Sequence, residues 1–358
     1  MLEKLTVKDV KVRNQNVLVR VDYNVPMKDG KITDDLRIRA SLPTIEYLIK
    51  KGARRIILIS HLGRPEGKKV SELSLRPVAE RLAELLPDSK VGFIDDVSGP
   101  DVEEAVEKTP VGGILLLENL RFFPGEEKNS AEFAREIAEC TRADLFVQDG
   151  FAVIHRAHAS TDAITKELPS VAGFLVEKEV SELSKIIEKP THPFYVIIGG
   201  AKVADKEPLI AKLVKVADEI WVGGKIAADG YTSDNPKIHV VKEFKTNASG
   251  EKQDITNTAA EELAKTIRSE AKTVLWNGTL GKVEDPEFAE GSEIIARAIG
   301  ETPGLTSVIC GGDTAGFVEN CLKSHPELSF SLISTGGGAS LELLSGLDLP
   351  GLDSLDDN

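Results

Sequence analysis

The sequence has few cysteines and no long apolar run. Its 358 residues include three cysteines, Cys140, Cys310 and Cys321, at scattered spacings and without a CxxC pair. An odd count at such spacings argues against a disulfide framework or a zinc site and predicts reduced thiols in a cytoplasmic protein. The opening MLEKLTVKDV has no apolar signal core, and no apolar run approaches the ~18 residues of a membrane span. We therefore expect no membrane association.

An excess of positive charge and the common nucleotide fingerprints are also absent. The formal net charge is −14, which argues against a general nucleic-acid-binding surface. Neither GxxxxGK[ST] nor GxGxxG occurs, so the chain is not an ordinary P-loop protein and lacks the dinucleotide-binding fingerprint. The length suits roughly two domains, each large enough for its own core.

Short apolar strands alternate with helical patterns through the first half of the chain. Strands are predicted at 17–21, 56–59, 114–117 and 145–147, and helices include 33–51 and 132–138. Such alternation predicts a parallel sheet with helices on both faces. Sheets of this kind bind their ligands outside the carboxyl ends of the strands.

Each of these four strands is followed by a polar segment that supplies an arginine. The four are Arg37, Arg64, Arg121 and Arg156. An arginine grips phosphate or carboxylate at two points and keeps its charge, so four that converge predict a pocket for a small, multiply charged anion. The alternative is that each is a surface residue. His61, His155 and His158 lie in the same segments, where they either assist or are structural.

The second half keeps the alternation but ends its strands in glycines. Strands are predicted at 194–198, 219–222, 273–276, 307–309 and 330–333, followed by GG, GG, NGTLG, GGDT and STGGGAS. A nucleotide phosphate chain is bound well by backbone N–H groups and helix N-termini, and glycines let the phosphates come close to the backbone. The alternative is that the glycines only tighten the turns between strands and helices.

Three charged residues and one helix complete the pattern. Lys202 and Lys206 follow the first GG turn at helical spacing, which indicates an anionic ligand there, or else a solvated lysine. Asp313, beside glycines and Thr314, is a candidate for holding a magnesium ion that bridges phosphates. The pattern over 171–187 predicts a long helix that joins two halves and marks a domain boundary.

The motifs, taken in order, resemble those of phosphoglycerate kinase over about residues 16–352. RVDYN is similar to the family's opening signature, and DDLRIRASLPTI, SHLGRP, ENLRF and HRAH resemble its substrate-side motifs. GGAKVADK, VLWNG, GGDT and STGGGAS resemble its nucleotide-side motifs. The resemblance implies a two-lobed kinase with hinge closure. Its reaction would be reversible transfer of the acyl phosphate of 1,3-bisphosphoglycerate to ADP, giving 3-phosphoglycerate and ATP in glycolysis and gluconeogenesis.

The resemblance also implies a role for each matching residue. Arg37 would reach the transferring phosphoryl group, and Lys202 would follow that group from donor to acceptor. Phosphoglycerate would be bound by Asp22, Asn24, Arg37, His61, Leu62, Gly63, Arg64, Arg121 and Arg156. The nucleotide would be bound by Gly199, Gly200, Ala201, Lys202, Lys206, Gly223, Asn277, Glu284, Gly311, Gly312, Asp313, Thr314, Gly336 and Gly337, with Glu284 on the ribose. Asp313 would hold Mg²⁺ through the nucleotide.

The expected fold is therefore α/β, with two Rossmann-like three-layer domains of parallel sheets joined by a long helix and a hinge. An N-terminal phosphoglycerate-binding domain is expected at 1–172, a linker helix at 173–190 and a C-terminal nucleotide-binding domain at 191–338. A tail at 339–358 would return to the N-terminal domain. The expected partners are phosphoglycerate and ADP or ATP with Mg²⁺, with no nucleic acid and no membrane. We expect a monomer.

The chain departs from the family mainly on the nucleotide side. Only 30 positions separate Gly224 from Asp254 (254 against 224), where the family has a longer stretch. GTLGKVE replaces the familiar GPMGVFE, and FAVIHR replaces FGTAHR. These departures leave open a second hypothesis, a phosphoglycerate-binding protein of the same fold with lost or altered nucleotide use. A third, a two-lobed dehydrogenase, lacks its glycine fingerprint.

Overall fold

The computed structural model describes residues 2–201 and 206–358, which form two compact units. Unit 1 comprises the described residues up to Val180 together with Asp348–Asn358, and unit 2 comprises those of Ser181–Leu347. Within the described residues, no helix is both long enough and apolar enough to cross a membrane.

Unit 1 is built around a six-stranded parallel sheet in the order β5-β6-β4-β1-β7-β8. Its strands are β1 (Asn16–Arg20), β4 (Arg55–Ile59), β5 (Val91–Ile94), β6 (Gly113–Leu117), β7 (Leu145–Gln148) and β8 (Ser170–Ala172), with a small hairpin of β2 (Met27–Lys28) and β3 (Lys31–Ile32). Its helices are α1 (Leu36–Lys50), α2 (Arg76–Leu85), α3 (Pro100–Lys108), α4 (Pro124–Glu127), α5 (Ala131–Thr141) and α6 (Phe174–Glu188), the last of which runs on into unit 2.

The register of this sheet brings four loops to one edge. Arg20, the last residue of β1, lies opposite Ile59 of β4 and Gln148 of β7. Strands β1 and β6 are buried along their whole length, as expected of apolar runs in a sheet covered on both faces. The segments after β1, β4, β6 and β7 therefore emerge at the same carboxyl edge, where the arginines were predicted to converge.

Unit 2 has a second six-stranded parallel sheet, in the order β11-β10-β9-β14-β15-β16. Its strands are β9 (Phe194–Ile198), β10 (Glu219–Val222), β11 (Ile238–Val240), β14 (Thr273–Asn277), β15 (Thr306–Cys310) and β16 (Leu332–Ile333), beside a hairpin of β12 (Phe244–Thr246) and β13 (Lys252–Ile255). Its helices are α7 (Glu207–Leu213), α8 (Gly224–Ala228), α9 (Asn257–Glu270), α10 (Glu290–Gly300), α11 (Gly312–Ser324) and α12 (Gly338–Ser345). Along the chain this is the doubly wound order 3-2-1-4-5-6, whose direction changes between β9 and β14.

The predicted fold class, two α/β domains with parallel sheets, is confirmed. The predicted helix over 171–187 is wrong at its start, because Val171 and Ala172 belong to β8 and the helix begins at Phe174. The strand predicted at 330–333 is limited to Leu332–Ile333, and the helix predicted at 33–51 spans Leu36–Lys50. Strands β5 and β11 and the β12–β13 hairpin were not predicted.

The C-terminal residues pack against the start of the chain and against the segment that follows β7. Helix α13 (Pro350–Asp353) follows unit 2 in sequence but belongs to unit 1. The Gly351 N–H donates to the Ile154 carbonyl at 2.7 Å, and the Leu5 N–H donates to the Asp356 carbonyl at 2.9 Å. These backbone bonds hold residues 348–358 within unit 1.

Candidate active site

A cluster of charged side chains lies at the carboxyl edge of the sheet in unit 1. We call it the arginine pocket, and its members are Asp22, Arg37, His61, Arg121 and Arg156. Asp22 and Arg37 form an ion pair, and His61 and Arg121 are almost completely buried. Burial and the positive charges of Arg20, Arg121, Arg37 and Arg156 hold the pKa of His61 well below its usual range. Three of the four predicted arginines, Arg37, Arg121 and Arg156, therefore act on one ring together with Arg20.

The loops that carry this pocket are fastened to one another by polar side chains. The Asn24 side-chain oxygen accepts from the Gly63 N–H at 2.9 Å, which ties the loop after β1 to the loop after β4. Arg121 donates from Nη1 to the Gly63 carbonyl at 2.8 Å, which adds the loop after β6. Gly63 has φ +65° and a Cβ there would lie 2.7 Å from the end of the Leu73 side chain, so any other residue would be strained at this position.

The remaining predicted residues of this side differ in exposure. Leu62 is buried, and its carbonyl accepts from the Asn119 side-chain amide at 2.7 Å. Arg156 donates to the His155 ring at 3.2 Å, and burial lowers the pKa of His155 to about 4. Arg64 is exposed, and in the described part of the chain no hydrogen bond or ion pair joins it to the pocket. Arg64 is thus the predicted arginine that the structure does not bring into the cluster.

Two buried charges beneath the pocket were missed by sequence reasoning. Arg20 and Glu126 are both fully buried, and they are linked through Ser160. Arg20 lies in the predicted strand 17–21 and in the RVDYN motif but was given no role, and Glu126 was given none either. A charged residue closing a buried strand was the one available signal, because such a residue must find a partner.

In unit 2 a cavity of about 530 Å³ opens at the carboxyl edge of the sheet. Of the predicted nucleotide residues, Gly200, Ala201, Glu284 and Asp313 line it. The Gly199 N–H donates to the Asn277 carbonyl at 2.9 Å and the Gly200 N–H to the Thr279 carbonyl at 2.8 Å. A Cβ at Gly199 or at Gly278 would collide with the other loop's backbone. The loops after β9 and β14 therefore touch backbone to backbone, at the point where the strand order changes direction.

The other predicted residues of unit 2 support this edge. Thr314 is buried and its hydroxyl accepts from the Gly278 N–H at 2.9 Å. Lys206 is buried with its ammonium bonded to the Asn277 side chain. Three predicted glycines directly precede helices: Gly223 before α8, Gly311 before α11 and Gly337 before α12. Gly312 is the first residue of α11, and Gly336 precedes Gly337. Lys202 lies outside the described residues.

The cavity also has walls that sequence reasoning did not find. They come from α8 and from the β12–β13 hairpin, and they include Lys225, Asp229, Phe244, Gln253 and Asp254. Asp254 is fully buried, and its carboxylate accepts from the Gly291 N–H at 2.9 Å at the start of α10. Burial raises the pKa of Asp254 to about 6. The SG dipeptide between two short alternating runs was the signal for this hairpin.

Comparison with known proteins gives one consistent result. A family model described as phosphoglycerate kinase matches residues 7–238 and 228–347. A phosphoglycerate kinase of Pseudothermotoga lettingae is 41% identical over 402 residues, covering 99% of each chain. Solved phosphoglycerate kinases of Pyrococcus horikoshii and Coxiella burnetii are 29% and 31% identical, with TM-scores of 0.85 and 0.77, and each comparison covers 98% of both chains.

These comparisons also locate the shortened part of the chain. The alignment with the Pseudothermotoga protein runs over at least 44 more positions than this chain has residues (402 against 358). The two stretches that match the family overlap at 228–238, so the family pattern is interrupted there, between α8 and β11. The resemblance found in the motifs is confirmed: the chain belongs to the phosphoglycerate kinase family.

Proposed function

We propose that unit 1 binds the phosphoglycerate and unit 2 the nucleotide in the reaction of this family. That reaction is the reversible transfer of the acyl phosphate of 1,3-bisphosphoglycerate to ADP, giving 3-phosphoglycerate and ATP. The observation that supports this assignment is the arginine pocket, where Arg37, Arg121 and Arg156, together with Arg20 beneath it, surround one buried histidine. Guanidinium groups outnumber the carboxylates paired with them, Asp22 beside Arg37 and Glu127 beside Arg121, and such a site suits a small substrate with several negative charges.

The phosphoglycerate would be held by the residues that the motifs indicate. Arg37 is paired to Asp22, keeps about a quarter of its side chain exposed, and carries five N–H donors. His61, Arg121 and Arg156 supply further N–H donors, and Asn24, Leu62 and Gly63 shape the loops that present them. Arg64 would join from the exposed end of the same loop.

The phosphoryl transfer requires stabilisation of charge rather than a general base. When bisphosphoglycerate is made, the attacking group is a carboxylate, which is already ionised at neutral pH. Catalysis then depends on positioning and on cations placed where the transferring phosphoryl group carries its charge. We assign that role to Arg37 and to Lys202, which lies outside the described residues.

The nucleotide would occupy the cavity of unit 2. Gly200 and Ala201 bring bare backbone to its wall, and the start of α11 brings Asp313. Backbone amides and helix N-termini of this kind suit phosphate oxygens. Glu284, on the same wall, would accept from the ribose hydroxyls.

The residues present also fit a magnesium ion that arrives with the nucleotide. Among the described residues there is no group of three or more His, Cys, Asp or Glu side chains suited to hold a metal by themselves. Mg²⁺ is commonly held by one or two carboxylates together with substrate phosphates and water, and Asp313 is an exposed carboxylate on the cavity wall. When bound, Mg²⁺ would neutralise phosphate charge.

We also propose that the chain is a cytoplasmic monomer. In support, Cys140 and Cys321 carry free thiols whose pKa burial raises to about 11, so both are poorly reactive. Light scattering coupled to size-exclusion chromatography tests the monomer, and a mass of two chains at micromolar concentration would overturn it.

The function is tested by a coupled assay. Purified protein is mixed with 3-phosphoglycerate, ATP and Mg²⁺, and glyceraldehyde-phosphate dehydrogenase consumes the product while NADH absorbance is followed. We expect turnover that requires all three components. Lys202→Ala should lose most of this rate. Lys215→Ala, which changes an exposed lysine just after the end of α7, should keep it. Folded protein that binds phosphoglycerate but turns over neither ATP nor GTP would overturn the proposal.

A further inference from the structure

A chain of four buried, hydrogen-bonded side chains runs beneath the arginine pocket. The Ser160 hydroxyl donates to Glu126 Oε1 at 2.6 Å, and the Ser160 N–H donates to Oε2 at 3.0 Å. Arg20 donates from Nε to the Ser160 hydroxyl at 2.8 Å. Arg20 Nη2 lies 3.2 Å from Nδ1 of His61. All four side chains are at most 3% exposed, so water does not satisfy their polar atoms.

The direction of the last bond in this chain is fixed by chemistry. A guanidinium has five N–H donors and no acceptor, and it stays protonated even though burial lowers the pKa of Arg20 to about 10. The bond between Arg20 and His61 therefore exists only if Nδ1 of His61 offers a lone pair. An imidazole that accepts at Nδ1 is neutral and carries its proton on Nε2.

We propose that Arg20 is a positioning residue that holds His61 as the neutral tautomer protonated on Nε2, so that His61 meets the substrate as an uncharged N–H donor. The proposal rests on the proposed function, because it takes His61 to contact phosphoglycerate. It divides the labour of the pocket: the arginines supply the charge, and His61 supplies a directed hydrogen bond whose strength does not change with pH.

Most of the charged groups around His61 disfavour its protonated form. The nearest carboxylate oxygen, Oδ1 of Asp22, lies 3.7 Å from Nδ1, beyond hydrogen-bond range, and Asp22 is already paired with Arg37. The charged groups that act on the ring are Arg20 on β1, Asp22 after β1, Arg37 on α1, Arg121 after β6 and Arg156 after β7. Four cations disfavour a protonated His61, and the one carboxylate within ion-pair distance of its Nδ1, that of Asp22, is already paired with Arg37.

Glu126 balances the buried guanidinium and fixes its direction. Burial alone would raise the pKa of Glu126, but His158 at 3.7 Å, the charge of Arg20 and the hydrogen bond from Ser160 hold the pKa below its usual value. The carboxylate is thus ionised at neutral pH, and through Ser160 it holds Nε of Arg20. With Nε held, Nη2 is aimed at His61.

The tautomer is read directly by NMR. In protein labelled with ¹⁵N-histidine, long-range ¹⁵N–¹H correlation separates the two neutral tautomers and the charged ring, and the signal of His61 is identified by its loss in His61→Gln. We expect His61 to remain neutral and protonated on Nε2 from about pH 5.5 to 8, although free imidazole titrates near 6.5. A His61 protonated on Nδ1, or one that titrates near pH 6.5, overturns the proposal.

The role of Arg20 is tested with a variant that removes both buried charges together. Arg20→Met with Glu126→Gln leaves no unpaired buried ion, which favours folding. We expect His61 to mix tautomers and to titrate within that pH range, and the KM for 3-phosphoglycerate to rise about five- to ten-fold, the cost of one misdirected hydrogen bond. Arg142→Met with Glu103→Gln removes an exposed ion pair of the same unit and should change neither quantity.

The two parts of the proposal fail separately. An unchanged His61 tautomer in the double variant overturns Arg20 as its positioning residue. If His61→Ala leaves the KM for 3-phosphoglycerate unchanged, the proposed contact of His61 with substrate is wrong, whatever the NMR spectra show. If the double variant does not fold, Arg20→Lys keeps the charge but not the fork that spans Ser160 and His61, and the same NMR result is expected of it.

Discussion

Asp22 and Arg37 form an ion pair at the carboxyl edge of unit 1, joining the loop after β1 to the first turn of α1. Asp22 is only 6% exposed, so its carboxylate is removed from water and needs its partner. The Arg37 side chain stays 27% exposed. The pair therefore fixes the Arg37 guanidinium at the edge of the sheet, where we propose that it meets the transferring phosphoryl group.

Arg37→Ala is expected to lower kcat/KM for 3-phosphoglycerate by about 100-fold or more. Removing one preorganised cation from a developing phosphoryl charge typically costs on the order of 10²–10³ in rate. The coupled assay measures the loss. Arg39→Ala is the matched control, because Arg39 lies on the same helix and pairs with Asp35 at 2.9 Å. Equal rates for the two variants would remove Arg37 from its proposed role.

The strands and the ends of strands were predictable because they are local properties. The apolar runs at β1, β4, β6 and β7 predict a parallel sheet, and a parallel sheet places Arg37, Arg121 and Arg156 at one edge. The segment from Val171 misled for a related reason: its apolar residues have helical spacing, yet pairing with β7 makes its start a strand. Such pairing depends on residues far away in sequence, which periodicity does not record.

The parts of the site that were missed depend on tertiary contacts. Glu126 lies 106 residues from Arg20 (126 against 20), and nothing local distinguishes it from a solvent-facing glutamate. The wall formed by Phe244 and Gln253 belongs to a short hairpin whose strands are partly exposed. Arg64 shows the converse case, a motif residue whose side chain the structure leaves exposed.

Asp313→Asn is expected to raise the Mg²⁺ concentration needed for half-maximal rate by about ten-fold. The amide keeps the shape of the side chain but loses the charge that a hard cation prefers. Titration of Mg²⁺ at fixed ATP in the coupled assay gives this concentration. Asp234→Asn, an exposed aspartate outside the cavity lining, should leave it unchanged. An unshifted titration for Asp313→Asn would show that the metal is held elsewhere.

GTP is expected to replace ATP with a kcat/KM within about ten-fold. Strong discrimination between bases needs buried polar groups that the wrong base leaves unpaired. Here the polar groups on this wall of the cavity are Lys225 of α8 and Asp229 just after it, an ion pair 2.8 Å long whose side chains are about half exposed. Such groups offer a donor and an acceptor to either purine, and the interruption of the family pattern at 228–238 lies next to them.

Parallel assays with ATP and GTP measure this ratio, and Asp229→Ala gives a further check. If the Lys225–Asp229 pair contacts the base, the variant should change the ratio of the two nucleotides, whereas Asp234→Ala should not. A preference for ATP above 100-fold in the unmodified protein would contradict the prediction, since it would require a rigid adenine site.

Asp149 should make the protein less stable as pH rises from about 4 to 7. It is fully buried at the end of β7, where it accepts from the Leu175 N–H at 2.8 Å at the start of α6. Burial raises its pKa from 3.8 to about 7. The folded state therefore binds a proton that the unfolded state has already released in this window, so this residue's contribution is most favourable below pH 4 and is lost through pH 7.

Asp149→Asn removes that proton-linked cost while its side-chain oxygen still accepts from Leu175. We compare the free energy of unfolding of the variant with that of the unmodified protein. The variant's advantage should be larger at pH 8 than at pH 5 by on the order of 1–3 kcal/mol, since each pKa unit is worth about 1.4 kcal/mol. Urea unfolding at the two pH values measures the change. Asp95→Asn, a change of an exposed aspartate in the same unit, should shift the free energy of unfolding by the same amount at pH 5 and at pH 8. A difference for Asp149→Asn that does not vary with pH would mean that its carboxyl titrates normally, and that the start of α6 tolerates a buried charge.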